Sequence, residues 1–322
     1  MIYRGLDSID YLAACADKLE TAASSHWRTF HADFHFDGLN FEGLKGFGGN
    51  NKPYKGFRNL VHSLLQKHFR RMGHRFPDFA RIEDIAKTIT EQQERAYDLD
   101  VIRQALTLAC LQKTISTNRS SSIDMACVIG DGFATMATLM LVAGFAKRIV
   151  LVNLTKTLLV DLWYLRLYFG EKQFDASARL LTELEDVDAL TGEGFSEPNS
   201  GCQVLAIQAE NHELLKHFPI DIAINIVSMQ EMDPPVIGGY FNDLRSVAKK
   251  RKLFFYCCNR EEKVLPDGTV TRFIDYPWQP NDEILLDELC PWHQRYYSTR
   301  PPFYRNYDGP IRHRLVVMGG DI

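Results

Sequence analysis

The chain has 322 residues, 45% of them apolar and 24% charged, with a formal net charge of −4. These values suit a globular protein with a substantial core and exclude wholesale disorder, and the length allows one large domain or two smaller ones. The mild negative charge argues against a general nucleic-acid binder. The longest apolar stretch, residues 137–152, is interrupted by Lys147 and Arg148 and is too short to span a bilayer.

From the amino end, a helix is predicted over about residues 8–24. The opening is not read as a signal peptide, because Asp7 and Asp10 break any apolar core. A Gly- and aromatic-rich insert from Trp27 to Phe57 follows, with little periodicity; it reads equally as a pinned surface loop or as a lid or substrate wall. Phe57, Leu60, Val61, Leu64, Leu65, His68 and Phe69 recur at helical spacing, and residues 81–97 and 99–115 predict two more helices. Residues 1–118 are therefore set apart as a mainly helical N-terminal region, a cap or substrate wall, from a second region over 119–322.

At Ile123 the pattern changes to continuous apolar runs alternating with helical segments, the signature of a parallel sheet covered on both faces. Predicted strands are IDMACVI, RIVLVN, VLAIQ, DIAINIVS and KLFFYCC, followed by TVTRFIDY (269–276) and RHRLVVMG (312–319). Helices are predicted over 132–145, 155–169 and 234–249. The connection over 170–201 ends in TGEGFSEPNSG, which reads as an exposed loop.

The first strand runs into Gly130-Asp131-Gly132 and then a helix. Strand, tight glycine turn and helix is an arrangement that cradles a phosphate, a dinucleotide or an adenosyl group. No Lys-Ser/Thr pair enters the helix, which disfavours a nucleoside triphosphate. Thr135 stands where a dinucleotide fingerprint places its third glycine, and Asn153 where it places an acid. An adenosyl group bearing a carboxylate asks only for close backbone approach and a helix N-terminus.

VIGDGFATMATL resembles the first motif of class I S-adenosylmethionine-dependent methyltransferases. INIVSMQEMDPPVIGGYF resembles the Asn-x-x-Ser-x-Gln-Glu-Met segment of the putative sugar O-methyltransferase family. The resemblance covers about residues 120–320. It implies an α/β, Rossmann-like, seven-stranded methyltransferase sheet whose last strand is inserted antiparallel, with S-adenosylmethionine as cofactor and a sugar hydroxyl, on a nucleotide-sugar or glycan, as acceptor. Carried over by position, Gly130, Asp131 and Gly132 would line the methionyl part, Asn153 would face the ribose, Gln208 and Ala209 the adenine, and Asn225 and Ser228 the sulfonium. Val128, Ala134 and Asn153 depart from the family's pattern. Those departures keep open a catalytically silent binding or regulatory protein of the same fold; a nicotinamide-dependent oxidoreductase is the weaker alternative.

Two residues are candidates for acid–base chemistry. Glu231 follows the fourth predicted strand, and would otherwise be a helix-start carboxylate beside an N-capping Asp233 and Pro234. His293 lies in CPWHQRYYSTRPPFYRNYDGP, where Trp292, Tyr296, Arg300 and Arg305 are candidate substrate contacts or, alternatively, anchors and solvated charges of a surface excursion. The seven cysteines include no C-x-x-C pair. No metal is expected: HADFHFD, with His31, Asp33, His35 and Asp37, alternates as a short strand would. A reducing, cytoplasmic setting is expected, with a small-molecule or glycan partner, no nucleic acid and no membrane, and no oligomeric state is implied.

Overall fold

The computed structural model describes residues 2–47, 52–118, 122–192 and 201–319. A nine-stranded sheet runs through it. In chain order its strands are β1 (Tyr3–Arg4), β2 (Ile123–Ile129), β3 (Ala146–Asn153), β4 (Ala178–Leu181), β5 (Val204–Gln208), β6 (Ile222–Ile226), β7 (Phe254–Arg260), β8 (Glu283–Leu289) and β9 (Ile311–Val317). The spatial order is β1-β4-β5-β3-β2-β6-β7-β9-β8. The inner pairs are parallel. Strand β9 is inserted antiparallel between β7 and β8, and β1 pairs antiparallel with β4.

Both faces are covered, which explains why the inner strands read as unbroken apolar runs. Along β2, Met125, Cys127 and Ile129 join the core on one face, while Ala126 and Val128 join the core on the other. The second of these faces carries α1 (Gly5–Cys15), α2 (Ser25–Phe30), α3 (Gly56–Met72), α4 (Phe79–Gln92), α5 (Leu99–Ser116), α6 (Thr135–Val142), α7 (Thr155–Phe169) and α8 (Glu171–Ser177). The first carries α9 (Leu184–Gly192) and α10 (Pro234–Ala248). Each fully buried Leu, Ile or Phe contributes about 1.5–3 kcal/mol. Residues 193–200, most of the expected loop, lie outside the described residues. No described helix is long and apolar enough to cross a membrane.

Several expected elements differ. The first helix stops at Cys15, because the chain turns to place Glu20 on the α7 N-terminus, where its carboxylate accepts the Thr155 N–H. Residues 269–276 do not form a sheet strand. Val270–Arg272 pairs instead with Glu262–Val264 in a separate hairpin, and Thr271 Oγ1 donates to the Gln230 carbonyl at 3.0 Å. The edge of the sheet is taken by β8, with Glu283, Asp287 and Glu288 among its residues. A strand paired on one side only and largely exposed needs no apolar run, and charges protect its free edge.

Register brings the carboxyl ends of five strands together. Ile129 pairs with Val152 and Asn225, Asn153 with Gln208, and Asn225 with Cys257. In an open α/β sheet this edge is where ligands bind.

Candidate functional site

A cavity of about 300 Å³ opens at that edge. Its floor is the turn after β2. Gly130 (φ +74°) and Gly132 (φ +97°) hold backbone conformations that favour glycine. A Cβ on Gly130 would sit 2.2 Å from Ser228 Oγ, whereas one on Gly132 would meet nothing within 4 Å and would point into open space.

The polar side chains of the turn face inward. The Asp131 carboxylate accepts the Met136 and Ala137 N–H groups at 3.1 and 2.8 Å, capping α6. Asp161, on α7 and fully buried, accepts the Ala134 N–H at 2.7 Å and the Asn153 amide N–H at 2.8 Å. Asn153 Oδ1 accepts the Leu154 N–H at 3.0 Å. Burial pushes the Asp131 carboxyl up to about 6; burial and then the Asp131 charge push Asp161 well above the carboxylate range. The buried Arg95, donating to Thr135 Oγ1 at 2.7 Å, sets a positive charge near Asp131.

Asn225 is wholly buried behind the wall and lies outside the cavity lining. Its amide donates to the Ile129 carbonyl (2.9 Å) and to Ser228 Oγ, and accepts from the Met229 N–H (3.1 Å) and Asn259 Nδ2 (2.8 Å). Every donor and acceptor of that amide is engaged. Ser228 itself lines the cavity, as do Asp131, Asn153 and Ala209. Gln208 is not in the lining; it donates to Thr155 Oγ1 at 2.8 Å.

Glu231 also lines the cavity. Lys263, from the hairpin, donates to its carboxylate at 2.9 Å, and His26 Nε2 lies 3.5 Å away. Burial raises the Glu231 carboxyl above its ordinary range, opposed by the Lys263 charge and hydrogen bond. Burial and then Lys263 bring His26 down to about 4, so it is neutral near pH 7. Asp233 precedes α10 without a side-chain cap bond. Trp27, Gly46 and Phe47, from the aromatic insert, also line the cavity.

A second cleft of about 410 Å³ shares Asp100, Arg103 and Tyr307 with the first and adds Tyr54, Tyr296 and Tyr297. Of the other expected substrate contacts, Trp292 is fully buried, its indole N–H donating to Thr107 Oγ1 at 3.1 Å. Arg300 and Arg305 are exposed and outside both linings. His293 is buried at the cavity wall, its Nδ1 3.1 Å from Cys290 Sγ and 3.7 Å from Cys258 Sγ. HADFHFD disperses: His31 is buried beside Thr157, His35 is exposed, Asp33 pairs with Lys45, and Asp37 accepts from the Leu39 and Asn40 N–H groups.

Sequence reasoning missed Asp161, Arg95 and Lys263, which lie in a helix interior, a helix-to-helix turn and a hairpin with no motif around them. It also missed Cys258 beside His293, for which Cys290-Pro-Trp-His293, a C-x-x-H spacing, was the available signal.

No family model and no curated protein matches the chain. Among solved structures the chain is similar to M. capricolum TrmK in complex with S-adenosyl-homocysteine, at 12% identity over 66% of this chain and 68% of that one, TM-score 0.35. It is also similar to a structure described as the conversion of a disulfide bond into a thioacetal group during echinomycin biosynthesis, at 10% identity over 67% and 82%, TM-score 0.40. A third is a putative RNA methyltransferase from Pyrococcus horikoshii, at 8% identity over 74% and 99%, TM-score 0.37.

Proposed function

We propose that the chain is an S-adenosylmethionine-dependent methyltransferase that transfers a methyl group to a sugar hydroxyl. The observation that carries this reading is the glycine turn at the carboxyl edge of the sheet: Gly132 presents backbone with open space where a Cβ would stand, directly before α6. That turn allows a ligand to approach the backbone closely; because Asp131 already takes the Met136 and Ala137 N–H groups, the cofactor's ammonium is the group suited to face the Asp131 carboxylate. Gly130, Gly132, Asn153, Ala209 and Ser228 would hold the cofactor, which supplies an electrophilic methyl on sulfur. In this reading residues 1–118 serve as the cap and 119–322 bind the cofactor, with Trp27 and Phe47 closing the cavity against water.

The cleft of tyrosines with Asp98 and Asp100 supports a sugar acceptor. Aromatic faces pack on the apolar face of a pyranose, and carboxylates accept from its hydroxyls. Glu231 would take the acceptor hydroxyl's proton, and the bound cofactor would supply the methyl group, its C–S bond breaking with the electron pair kept on sulfur as the neutral thioether leaves. A buried carboxyl with a raised pKa is the stronger base, and Lys263 holds it ionised beforehand. The test is calorimetry followed by turnover. S-adenosylmethionine should bind and NAD should not; Glu231→Gln should keep cofactor affinity and lose roughly 10²–10⁴-fold in turnover on sugar acceptors. Normal turnover in that variant would leave Glu231 a helix-start carboxylate.

A silent binding protein of the same fold has one specific observation in its favour: the Asp131 and Asn153 side chains are engaged within the protein. Absence of binding to either ligand would establish it.

A further inference from the structure

Cys258 is on β7, and Cys290 and His293 are on the turn after β8. All three are buried, and one ligand atom from each lies within 4.8 Å of the other two. We propose that Cys258, Cys290 and His293 bind a soft divalent metal ion, zinc foremost, immediately behind the cavity wall to which His293 belongs.

Geometry comes first. Zinc takes thiolate sulfur at ~2.3 Å and imidazole nitrogen at ~2.0–2.1 Å in tetrahedral array. Those bond lengths put sulfur and nitrogen ligands of one ion roughly 3.5 Å apart. His293 Nδ1 is 3.1 Å from one sulfur and 3.7 Å from the other, on either side of that value. Two thiolates and a neutral imidazole also balance the charge of a divalent cation, so the assembled site adds no net charge to a fully buried place.

The turn carrying two of the ligands is braced before any ion arrives. The His293 N–H donates to the Cys290 carbonyl at 3.1 Å. Gln294 Nε2 donates to that same carbonyl at 2.9 Å and to the Ile311 carbonyl at 2.6 Å. Arg103 donates to the Trp292 and Arg295 carbonyls at 3.0 and 2.7 Å. The Trp292 backbone hydrogen-bonds the Cys290 thiol. Outer bonds of this kind fix ligand orientation and tune affinity. The fourth position falls to a water or an oxygen of a cavity ligand, as in zinc sites with three protein ligands. The ion would tie β7 to the β8–β9 connection and hold His293 in the wall, whatever reaction the cavity carries out.

The test uses the full chain, purified without chelator, and titration of the chelator-treated protein with Co²⁺ and Zn²⁺. We expect one equivalent of zinc by mass spectrometry. Cobalt should give thiolate charge-transfer absorbance and the intense visible bands of a tetrahedral ion, both displaced by zinc. Cys258→Ser, Cys290→Ser and His293→Asn should each weaken binding by more than about 100-fold, since loss of even an outer partner costs ~10–100-fold; Cys127→Ser, remote from the trio, should bind as the parent does. Wild-type spectra without thiolate charge transfer would overturn the site, as would a Cys258–Cys290 disulfide in the purified chain or variants with parental stoichiometry and affinity. If a ligand variant does not fold, the wild-type cobalt spectrum decides alone. Failure of cofactor binding in the same preparations bears only on the methyltransferase reading.

Discussion

Substitution at the two glycines of the cavity floor should separate stability from ligand binding. Both have positive φ, and an L side chain forced into such a conformation costs about 1–3 kcal/mol. Gly132→Ala carries that strain alone, since its Cβ meets nothing within 4 Å. Gly130→Ala adds a collision, because its Cβ would stand 2.2 Å from Ser228 Oγ and 2.6 Å from Ser228 Cβ. Ser228 cannot yield freely, as its hydroxyl donates to the Ile129 carbonyl at 3.1 Å and accepts from Asn225. Displacing it leaves buried partners unmatched at roughly 1–3 kcal/mol more. Gly130→Ala should therefore lose about 2–6 kcal/mol, a large part of the ~5–15 kcal/mol that holds a domain together. Gly132→Ala should lose about 1–3 kcal/mol by strain alone.

Ligand binding should rank the other way among folded variants. A Cβ at 132 enters the space assigned to the cofactor, and Gly132→Val adds two methyl groups beyond it in a cavity of about 300 Å³. Urea unfolding gives the stabilities, and calorimetry at a temperature where each variant is folded gives S-adenosylmethionine affinity. Gly132→Val should fold and bind at least tenfold more weakly. The reasoning fails if Gly132→Val binds as the parent does, or if Gly132→Ala and Gly130→Ala are equally destabilised.

Three further outcomes follow from the same geometry. Lys263→Met removes the charge that keeps Glu231 ionised, so the Glu231 pKa rises and the rising limb of turnover against pH should move to higher pH; an unmoved limb would exclude Glu231 as the titrating base. Asn225→Ala removes an amide with four buried hydrogen bonds and should cost about 3 kcal/mol in urea midpoint experiments, against under 1 kcal/mol for an exposed asparagine. His31, brought down to about 4 by burial and then Lys156, takes up a proton in the unfolded chain near 6.5 but not in the folded one. Stability should therefore fall as pH drops from 6.5 to 4, by roughly 2–3 kcal/mol for this residue, and the fall should shrink by that amount in His31→Gln.

Much of the sheet was legible because its inner strands are buried on both faces and announce themselves as apolar runs. The α7 range, 155–169, is the predicted one, and β9 is the inserted antiparallel strand that the resemblance implied. What escaped is what packing does not mark. Strand β8 is an exposed edge. Strand β1 is two residues long and exists only because β4 offers it an edge. Residues 269–276 look like a strand by composition, but Phe273 and Tyr276 are core anchors for a hairpin whose work is to hold Gln230 and Glu231. At the site, the glycines could be placed because backbone conformation restricts residue type at the turn. The Ile129 and Asn259 partners of Asn225 could not, since the pairing of β2, β6 and β7 is what brings them near.

Asn153 shows how far such register can decide a residue. The motif's usual acid at this strand end would point at Asp161, whose carboxylate accepts the Asn153 amide N–H. Asp161 is itself held against Asp131, and burial already raises both carboxyls. A third carboxylate would face two others with only Arg95 shown near them, and its oxygens could offer Asp161 no donor unless protonated. An amide satisfies both sides at once, donating to Asp161 and accepting from the Leu154 N–H. The departure from the pattern at 153 and the buried acid at 161 are thus one arrangement. The acid of this arrangement stands eight residues further along the chain, in α7, where its buried carboxyl accepts from the Ala134 N–H and the Asn153 amide and secures the glycine turn from behind instead of facing the cavity.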